Sequence, residues 1–297
     1  MRELGVAGRI ARALIISGSA LLLVEGGLRL LEVPDPGLYA GDPGYHWTLR
    51  PDVSREVPHL DGSFLVETSG QGLRDDPIPT EGEWVLALGC STTFGWGVEE
   101  EQGWVELLEE RLGVPVVNGG IPGHSSEQGS RFAGDLIARG PSAVILAWGV
   151  RDHQLAPRED RDAKPSGGLS GSHIIKGLRG LVGQGSAAPE PIEPPPGWVH
   201  RVSAERFREN LAQVVSLAKG VGSSVLLLDF PSVEGRPAHS EAMAGVGEAL
   251  VAPELAAGLF FEGDPIHLTV EGNAALAEAL VEPVRGLLSA RGGSPAP

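Results

Sequence analysis

The sequence is poor in cysteine, in aromatic residues and in basic charge, and each shortage narrows what the protein can do. A single cysteine, Cys90, among 297 residues excludes an intramolecular disulfide. Aromatic residues make up only 5% of the chain, whereas 43 glycines and 24 prolines indicate long loops. Acidic residues outnumber basic ones by 39 to 23, for a net charge of −16. Nucleic acid is therefore not expected as a partner, because phosphates need basic counter-charges.

The composition gives no sign of a metal site. The eight histidines are scattered, and no cysteine or histidine pair has the spacing of a zinc site. We therefore expect neither a metal ion nor an organic cofactor. Apolar residues make up 41% of the chain, which is enough to build a sizeable globular core.

The N-terminus carries a long apolar run behind three arginines. The run occupies residues 13–24, and residues 10–31 reach the length of about 20 residues that a membrane span needs if Glu25 and Arg29 lie near the interface. Basic residues ahead of the run predict a single-pass membrane protein with a cytoplasmic N-terminus. The rest of the chain is then extracytoplasmic, in a bacterial periplasm or at the cell surface. A cleaved signal peptide and a buried amphipathic helix are the alternatives.

Turn signals and a change of pattern divide the chain. We assign residues 1–33 to the cytoplasmic N-terminus and transmembrane signal-anchor, 34–80 to an N-terminal extension and 81–290 to the main domain. Within the extension, residues 63–68 are predicted as one strand of a small hairpin. Residues 157–198, rich in glycine, proline and charge, are predicted as an insertion. Both a lid over the active-site edge and a disordered loop fit that composition.

Short apolar runs alternate with helical periodicity throughout the main domain. Strands are predicted at residues 84–88, 114–117, 143–148, 225–228 and 259–261. Helices are predicted at residues 102–112, 126–139, 203–219 and 270–288, the last with Thr269 as its N-cap. This alternation is typical of an α/β fold, a doubly wound, flavodoxin-like parallel sheet with helices on both faces. Such sheets bind ligands beyond the carboxyl ends of their strands.

A serine follows the first of these strands directly. At this place the N–H groups of the next helix point at Ser91 and suit an oxyanion, although an isolated Gly-x-Ser more often only caps a helix. Asp264 and His267, three residues apart before the last helix, favour the catalytic interpretation. A serine nucleophile needs a base, and the base needs an acceptor that orients it. We therefore interpret Ser91 as the nucleophile, His267 as the base and Asp264 as the orienting carboxylate.

With these motifs, the chain resembles the SGNH/GDSL hydrolase family of esterases and lipases over roughly residues 84–288. Ser91 matches the family's nucleophile, and Asp264 and His267 match its base pair. The resemblance implies the SGNH-hydrolase type of fold. Extracytoplasmic members of the family often carry an N-terminal extension similar to residues 68–75.

Two further blocks resemble the parts of the family that form the oxyanion hole. Residues 116–123 match the second block, whose last glycine, here Gly123, donates a backbone N–H to the oxyanion. Residues 148–152 match the third block, in which Arg151 replaces an asparagine that donates from its side chain. The resemblance therefore assigns the hole to Ser91, Gly123 and Arg151. Three polar residues near the second block fit either a pocket lining or a structural role: Asn118, His124 and Gln128.

Two residues depart from the family's pattern. Cys90 replaces a supporting aspartate, and we expect its thiol to pack beneath the turn rather than to act as the nucleophile. Arg151 presents three alternatives, one of which is that its guanidinium binds an anionic group of the substrate. The other two concern the oxyanion. Its guanidinium either reaches the oxyanion, or pairs with Asp152 and leaves the N–H groups of Ser91 and Gly123 as the only two donors.

The resemblance implies serine-dependent hydrolysis of a carboxylic ester through an acyl-serine. The predicted location suggests a small-molecule, glycan or lipid ester as substrate, such as cell-envelope lipid or acetylated carbohydrate. Two alternatives are an O-acyltransferase that acts on envelope polysaccharide and a catalytically silent SGNH-like binding domain. The membrane, through the N-terminal helix, is the other expected partner.

Overall fold

A computed structural model describes residues 6–31, 37–60, 62–74, 77–163, 174, 194–232 and 235–292. Its first element is the 25-residue helix α1 (Val6–Leu30), which is long and apolar enough to cross a membrane. Membrane anchors and signal sequences share this property. Glu25 and Arg29, the two charges that interrupt the apolar run, form an ion pair at 2.8 Å one helical turn apart. The pairing lowers the cost of placing both charges near lipid.

Two antiparallel hairpins build the extension. Strands β1 (Tyr39–Asp42) and β2 (His46–Leu49) form the first hairpin, and strands β3 (Ser54–His59) and β4 (Gly62–Glu67) form the second. The strand expected at residues 63–68 is confirmed as β4. Phe64 and Val66, two residues apart in β4, are buried, so one face of this hairpin packs inward.

Five parallel strands form the central sheet in the order β11–β10–β7–β5–β6. Their bounds are β5 (Val85–Gly89), β6 (Val116–Gly120), β7 (Ala143–Ala147), β10 (Ser224–Leu228) and β11 (Ala249–Val251). Strands β5, β6 and β7 are buried along their whole length, as continuous apolar runs predict. The predicted α/β class and parallel sheet are confirmed.

The fifth predicted strand was placed wrongly. Residues Ala257–Leu259 form a single 3₁₀ turn, and Phe260 makes only an isolated antiparallel bridge to Leu268. The edge strand is β11 instead, paired in parallel with β10. Apolar runs of three residues are too short for periodicity to separate an edge strand from a buried turn.

Helices cover both faces of the sheet. Their bounds are α2 (Ser91–Phe94), α3 (Trp104–Leu112), α4 (Ser126–Ile137), α5 (Val150–His153), α6 (Ala204–Gly220), α7 (Pro237–Ala244) and α8 (Val270–Gly292). Helices α3 and α8 pack together on one face, and α4 and α6 on the other. Thr269 Oγ1 accepts the N–H of Gly272 at 3.2 Å, which confirms Thr269 as the N-cap of α8.

Strand β5 divides its side chains between two apolar cores. Val85 and Ala87 pack in the core beneath α3 and α8. Leu86 and Leu88 pack in the core beneath α4 and α6. This alternation follows from the two-residue repeat of a strand, and it fixes the sheet between two helical layers. The carboxyl edge of the sheet remains the place where loops meet.

The insertion predicted at residues 157–198, with a helix expected at residues 173–182, lies largely outside the described residues. Its two ends are joined by a short antiparallel ladder of β8 (Leu155–Ala156) and β9 (Val199–His200). The ladder brings the start and the end of the insertion to one place beside α5.

Arg74 ties the extension to the main domain. Its side chain is 0% exposed, and its guanidinium lies over the ring of Phe94, 4.8 Å from the centroid. It donates hydrogen bonds to four backbone carbonyls, those of Leu65, Phe94, Gly95 and Val98. The arginine therefore links strand β4 to the segment that directly follows helix α2.

We predict that Arg74→Met lowers the free energy of unfolding by about 3 kcal/mol, because four buried carbonyls lose their donor. Denaturant unfolding of the full chain in detergent measures the change. Arg139→Met is the control, since Arg139 is exposed and its replacement should change stability by less than about 0.5 kcal/mol. Equal midpoints for the two variants would contradict the role of Arg74.

Candidate active site

The candidate nucleophile lies at the carboxyl end of strand β5, which pairs with β6 and β7. Ser91 is the first residue of the short helix α2, and its side chain is buried. The thiol of Cys90 is buried too, 3.3 Å from the hydroxyl of Thr92. The thiol therefore packs beneath the turn, as expected from the sequence.

Asp264 and His267 meet Ser91 in space. His267 Nε2 lies 2.8 Å from Ser91 Oγ, and His267 Nδ1 lies 2.6 Å from Asp264 Oδ2. An ionised carboxylate only accepts hydrogen bonds, so the imidazole proton is on Nδ1. Nε2 is then the acceptor that faces the serine hydroxyl. Residues 176 positions apart in the chain thus form one hydrogen-bonded path.

The surroundings of Asp264 keep its carboxylate ionised. Burial acts to raise the pKa of Asp264, but the hydrogen bond and charge of His267 lower it further than burial raises it. The backbone N–H groups of Ile266 and His267 add to this effect, since both donate to Asp264 Oδ1 at 3.0 and 3.1 Å. The pKa of Asp264 is held well below its usual range, so the group is an anion near neutral pH.

Gly123 and Arg151 line the same cavity as Ser91. The cavity measures about 360 Å³ and is lined by Tyr39, Trp47, Ser91, Trp96, Pro122, Gly123 and Arg151. Gly123 has φ +84°, a left-handed conformation that favours glycine. Ser91, Gly123 and Arg151 follow three adjacent strands, β5, β6 and β7. The parallel topology therefore brings the predicted oxyanion-hole residues to one edge.

Arg151 and Asp152 are engaged by different partners. Arg151 Nη1 donates to Gln154 Oε1 at 3.1 Å. Asp152 is buried and accepts from the backbone N–H and hydroxyl of Ser126 at 2.9 and 2.5 Å, and from Gly149 N at 3.1 Å. The structure therefore does not show the pairing of Arg151 with Asp152 that would turn the guanidinium away, and Arg151 remains a wall of the cavity.

The extension contributes two cavity residues that sequence reasoning missed, Tyr39 and Trp47. Trp47 is anchored to the second block, since its indole N–H donates to Pro122 O at 3.1 Å. Its own carbonyl accepts from His124 Nε2 at 2.8 Å, and burial lowers the pKa of His124 to about 4. The sequence did contain a signal for Trp47. Aromatic residues are scarce in this chain, yet three aromatic or histidine side chains stand together at residues 45–47.

The other two polar residues of the second block are structural. Asn118 donates to Glu106 Oε1 at 2.9 Å and accepts from the N–H of Gly120. Gln128 Oε1 accepts from the backbone and the hydroxyl of Ser125, a capping box that starts helix α4. Asn118 and Gln128 thus hold the backbone of Gly120 and Ser125, on either side of the cavity residues Pro122 and Gly123.

One cluster among the described residues has the atoms of a metal site. His59, Asp264 and His267 each place a ligand atom within 4.8 Å of the others. His59 Nε2 lies 3.3 Å from Asp264 Oδ2, the oxygen that His267 Nδ1 also approaches. Hydrogen bonds join all three side chains, so the cluster is satisfied without an ion.

We predict that Asp152 makes stability depend on pH. Burial, against the hydrogen bonds from Ser126 and Gly149, raises the pKa of Asp152 from 3.8 to about 6. The folded state then binds this proton more tightly than the unfolded chain, so the contribution of Asp152 to stability is largest below about pH 4 and is lost as the pH rises through about 6. Relative to Asp152→Asn, the free energy of unfolding should fall by about 2 kcal/mol between pH 4 and 7.

Denaturant unfolding at several pH values tests this, with the exposed Asp135→Asn as the matched control. Asp135→Asn should follow the wild-type pH dependence. A constant difference between the wild type and Asp152→Asn across this range would disprove the proposed linkage.

Several solved esterase structures are similar to the chain. The crystal structure of TesA is 24% identical, covers 69% of the chain and 99% of its own, and has a TM-score of 0.46. The psychrotrophic esterase EstA from Pseudoalteromonas sp. is 15% identical, with coverage of 70% and 100% and a TM-score of 0.47. A variant of the acetyl-xylooligosaccharide esterase Axe2 from Geobacillus is 17% identical, with coverage of 69% and 94% and a TM-score of 0.44.

Sequence comparison identifies a similar protein and the family to which the chain belongs. Esterase TesA of Pseudomonas aeruginosa is 26% identical over 224 residues, which are 69% of this chain and 89% of that protein. Residues 87–275, more than half of the chain, match the GDSL-like lipase/acylhydrolase family, and the matched range contains Ser91, Asp264 and His267. The chain therefore belongs to the GDSL-like lipase/acylhydrolase family and is an ester hydrolase.

Proposed function

We propose that Ser91 hydrolyses a carboxylic ester through an acyl-serine, with His267 as the base and Asp264 as its orienting carboxylate. One observation carries this proposal. Hydrogen bonds of 2.6 and 2.8 Å connect Asp264 Oδ2 through both nitrogens of His267 to Ser91 Oγ. Each bond has the direction that proton abstraction from the serine needs.

The reaction then has two steps. Ser91 Oγ attacks the ester carbonyl as His267 Nε2 takes the hydroxyl proton, and the ionised Asp264 stabilises the imidazolium. The imidazolium gives its proton to the alkoxy oxygen, and the alcohol leaves. Water, deprotonated by His267, attacks the acyl-serine, and the carboxylic acid leaves as the Ser91 hydroxyl is restored.

The backbone N–H groups of Ser91 and Gly123 are the proposed oxyanion donors, with Arg151 as the third. Arg151 lines the same cavity as both, and its hydrogen bond to Gln154 holds the side chain at the cavity wall. A guanidinium offers a charge-assisted hydrogen bond to the developing oxyanion. We therefore assign to Arg151 the stabilising role that the family gives to asparagine.

The cavity favours a short acyl group or a flat ring as substrate. Its volume of about 360 Å³ is at the small end of ligand sites, and Tyr39, Trp47 and Trp96 supply aromatic walls. Aromatic faces also pack well on the apolar faces of ring-shaped ligands. An acetylated carbohydrate fits these walls better than a long-chain lipid.

The N-terminal helix indicates on which side of the membrane the substrate lies. We propose that α1 anchors the protein with its N-terminus in the cytoplasm and the hydrolase domain outside. Arg9 and Arg12 precede the most apolar part of α1, as the positive-inside rule expects. The substrate is then an ester of the cell envelope.

We predict that the full-length protein in detergent hydrolyses p-nitrophenyl acetate and that Ser91→Ala lowers kcat by at least about 10³-fold. The octanoate ester should react more slowly than the acetate, because the cavity is small. Ser240→Ala, a hydroxyl on α7 outside the cavity, is the matched control and should retain activity. A kcat of Ser91→Ala equal to that of the wild type would refute the assignment of Ser91 as the nucleophile.

The role of Arg151 predicts a graded response. Arg151→Met should lower kcat/KM about 10²–10³-fold, since one oxyanion donor is lost, whereas Arg151→Asn should restore part of the rate. Steady-state kinetics with p-nitrophenyl acetate measure both, beside Arg158→Met as an exposed control. Wild-type rates in Arg151→Met would show that the two backbone N–H groups suffice.

A further inference from the structure

The carboxylate of Asp264 has a second histidine as a neighbour. His59 Nε2 lies 3.3 Å from Asp264 Oδ2, the same oxygen that is 2.6 Å from His267 Nδ1. Asp264 Oδ1 meanwhile accepts two backbone N–H groups. The carboxylate is thus surrounded by four donors, and His59 is the one that comes from the N-terminal extension, 205 residues away in the chain.

The ring of His59 is packed from several directions. Phe261 meets it edge-on at 4.8 Å between centroids, and His267 stands perpendicular to it at 6.0 Å. On another side is Gly97, where a Cβ would lie 2.7 Å from His59 Nδ1. The side chain is 10% exposed. These contacts fix both the place of the ring and the direction of its Nε2 atom toward Asp264.

The chemistry of the pair fixes the direction of the bond. Asp264 is ionised, so it only accepts, and the proton of the shared hydrogen bond belongs to His59 Nε2. Two backbone N–H groups hold Asp264 Oδ1, whereas His267 Nδ1 alone would leave Oδ2 with a single donor. A second donor on that oxygen keeps Oδ2 directed at His267 Nδ1.

We propose that His59 is a positioning residue for hydrolysis, acting through Asp264 on the orientation of His267. This inference rests on the proposed function of Ser91, Asp264 and His267. It makes the extension a functional part of the enzyme, because strand β3 ends at His59 and so delivers the donor. The expected effect is on the chemical step, since His59 does not line the cavity that contains Ser91.

The test compares two replacements that separate donation from packing. His59→Gln retains a side-chain N–H donor, whereas His59→Phe retains a ring and loses the donor. We expect His59→Phe to lower kcat on p-nitrophenyl acetate about tenfold with KM unchanged, and His59→Gln to stay within about threefold of wild type. The rate at which a fluorophosphonate probe labels Ser91 should fall in parallel, because it reports the reactivity of the serine directly.

The controls use the full-length protein in detergent, with thermal unfolding measured for each variant. Glu56→Gln, on the exposed side of the same strand, should leave kcat and labelling unchanged. Equal kcat and labelling in His59→Phe and wild type would overturn the proposal, as would equal losses in His59→Phe and His59→Gln, which would indicate packing. A wild type that the probe does not label, or a Ser91→Ala variant that it does, would refute the proposed function and this inference with it.

Discussion

The close contact of helix α2 with the ends of strands β5 and β6 decides where Ser91, the proposed nucleophile, lies. A Cβ at Gly89 would be 2.0 Å from Thr93 Oγ1, and a Cβ at Gly120 would be 2.3 Å from Phe94 N. Any larger residue at either position would push α2 away from the sheet. The two glycines thus let α2 sit directly on the carboxyl edge, where Ser91 shares a cavity with Gly123. The other catalytic groups are arranged around this fixed point.

The extension depends on the same point, because several of its contacts with the hydrolase domain lie where the segments of the proposed site leave the sheet. Arg74 binds the carbonyls of Phe94 and Gly95 just after α2. Trp47 binds the second block, and His59 binds Asp264. The second hairpin also packs its apolar face on Phe94 and Ile121. An extension that only covered the sheet would not need separate contacts to three catalytic segments, so its packing energy also serves to order the site.

The sequence revealed those parts of the site that are local. Ser91 follows a strand, and Asp264 and His267 precede a helix, so period and spacing alone indicated them. The sequence alone did not identify His59 and Trp47 as site residues. Their contacts depend on the register of the hairpins and on loops more than 70 residues away in the chain. The edge strand β11 was missed for a different reason. It has three residues, and pairing with β10 rather than any intrinsic pattern makes it a strand.

Arg151 changes the charge balance of the site relative to the asparagine that it replaces. In the transition state of the proposed acylation step, the site would hold an oxyanion, an imidazolium on His267 and the carboxylate of Asp264, for a net charge of −1 with asparagine and of zero with arginine. Aromatic side chains make part of the cavity wall apolar, and an apolar wall strengthens the attraction between guanidinium and oxyanion. The same guanidinium repels the imidazolium, but Asp264 lies against that ring at 2.6 Å, and His267 together with two backbone N–H groups keeps the carboxylate ionised. A firmly ionised and firmly oriented Asp264 is therefore what allows a cation beside the oxyanion, and the additional donor from His59 supports that orientation.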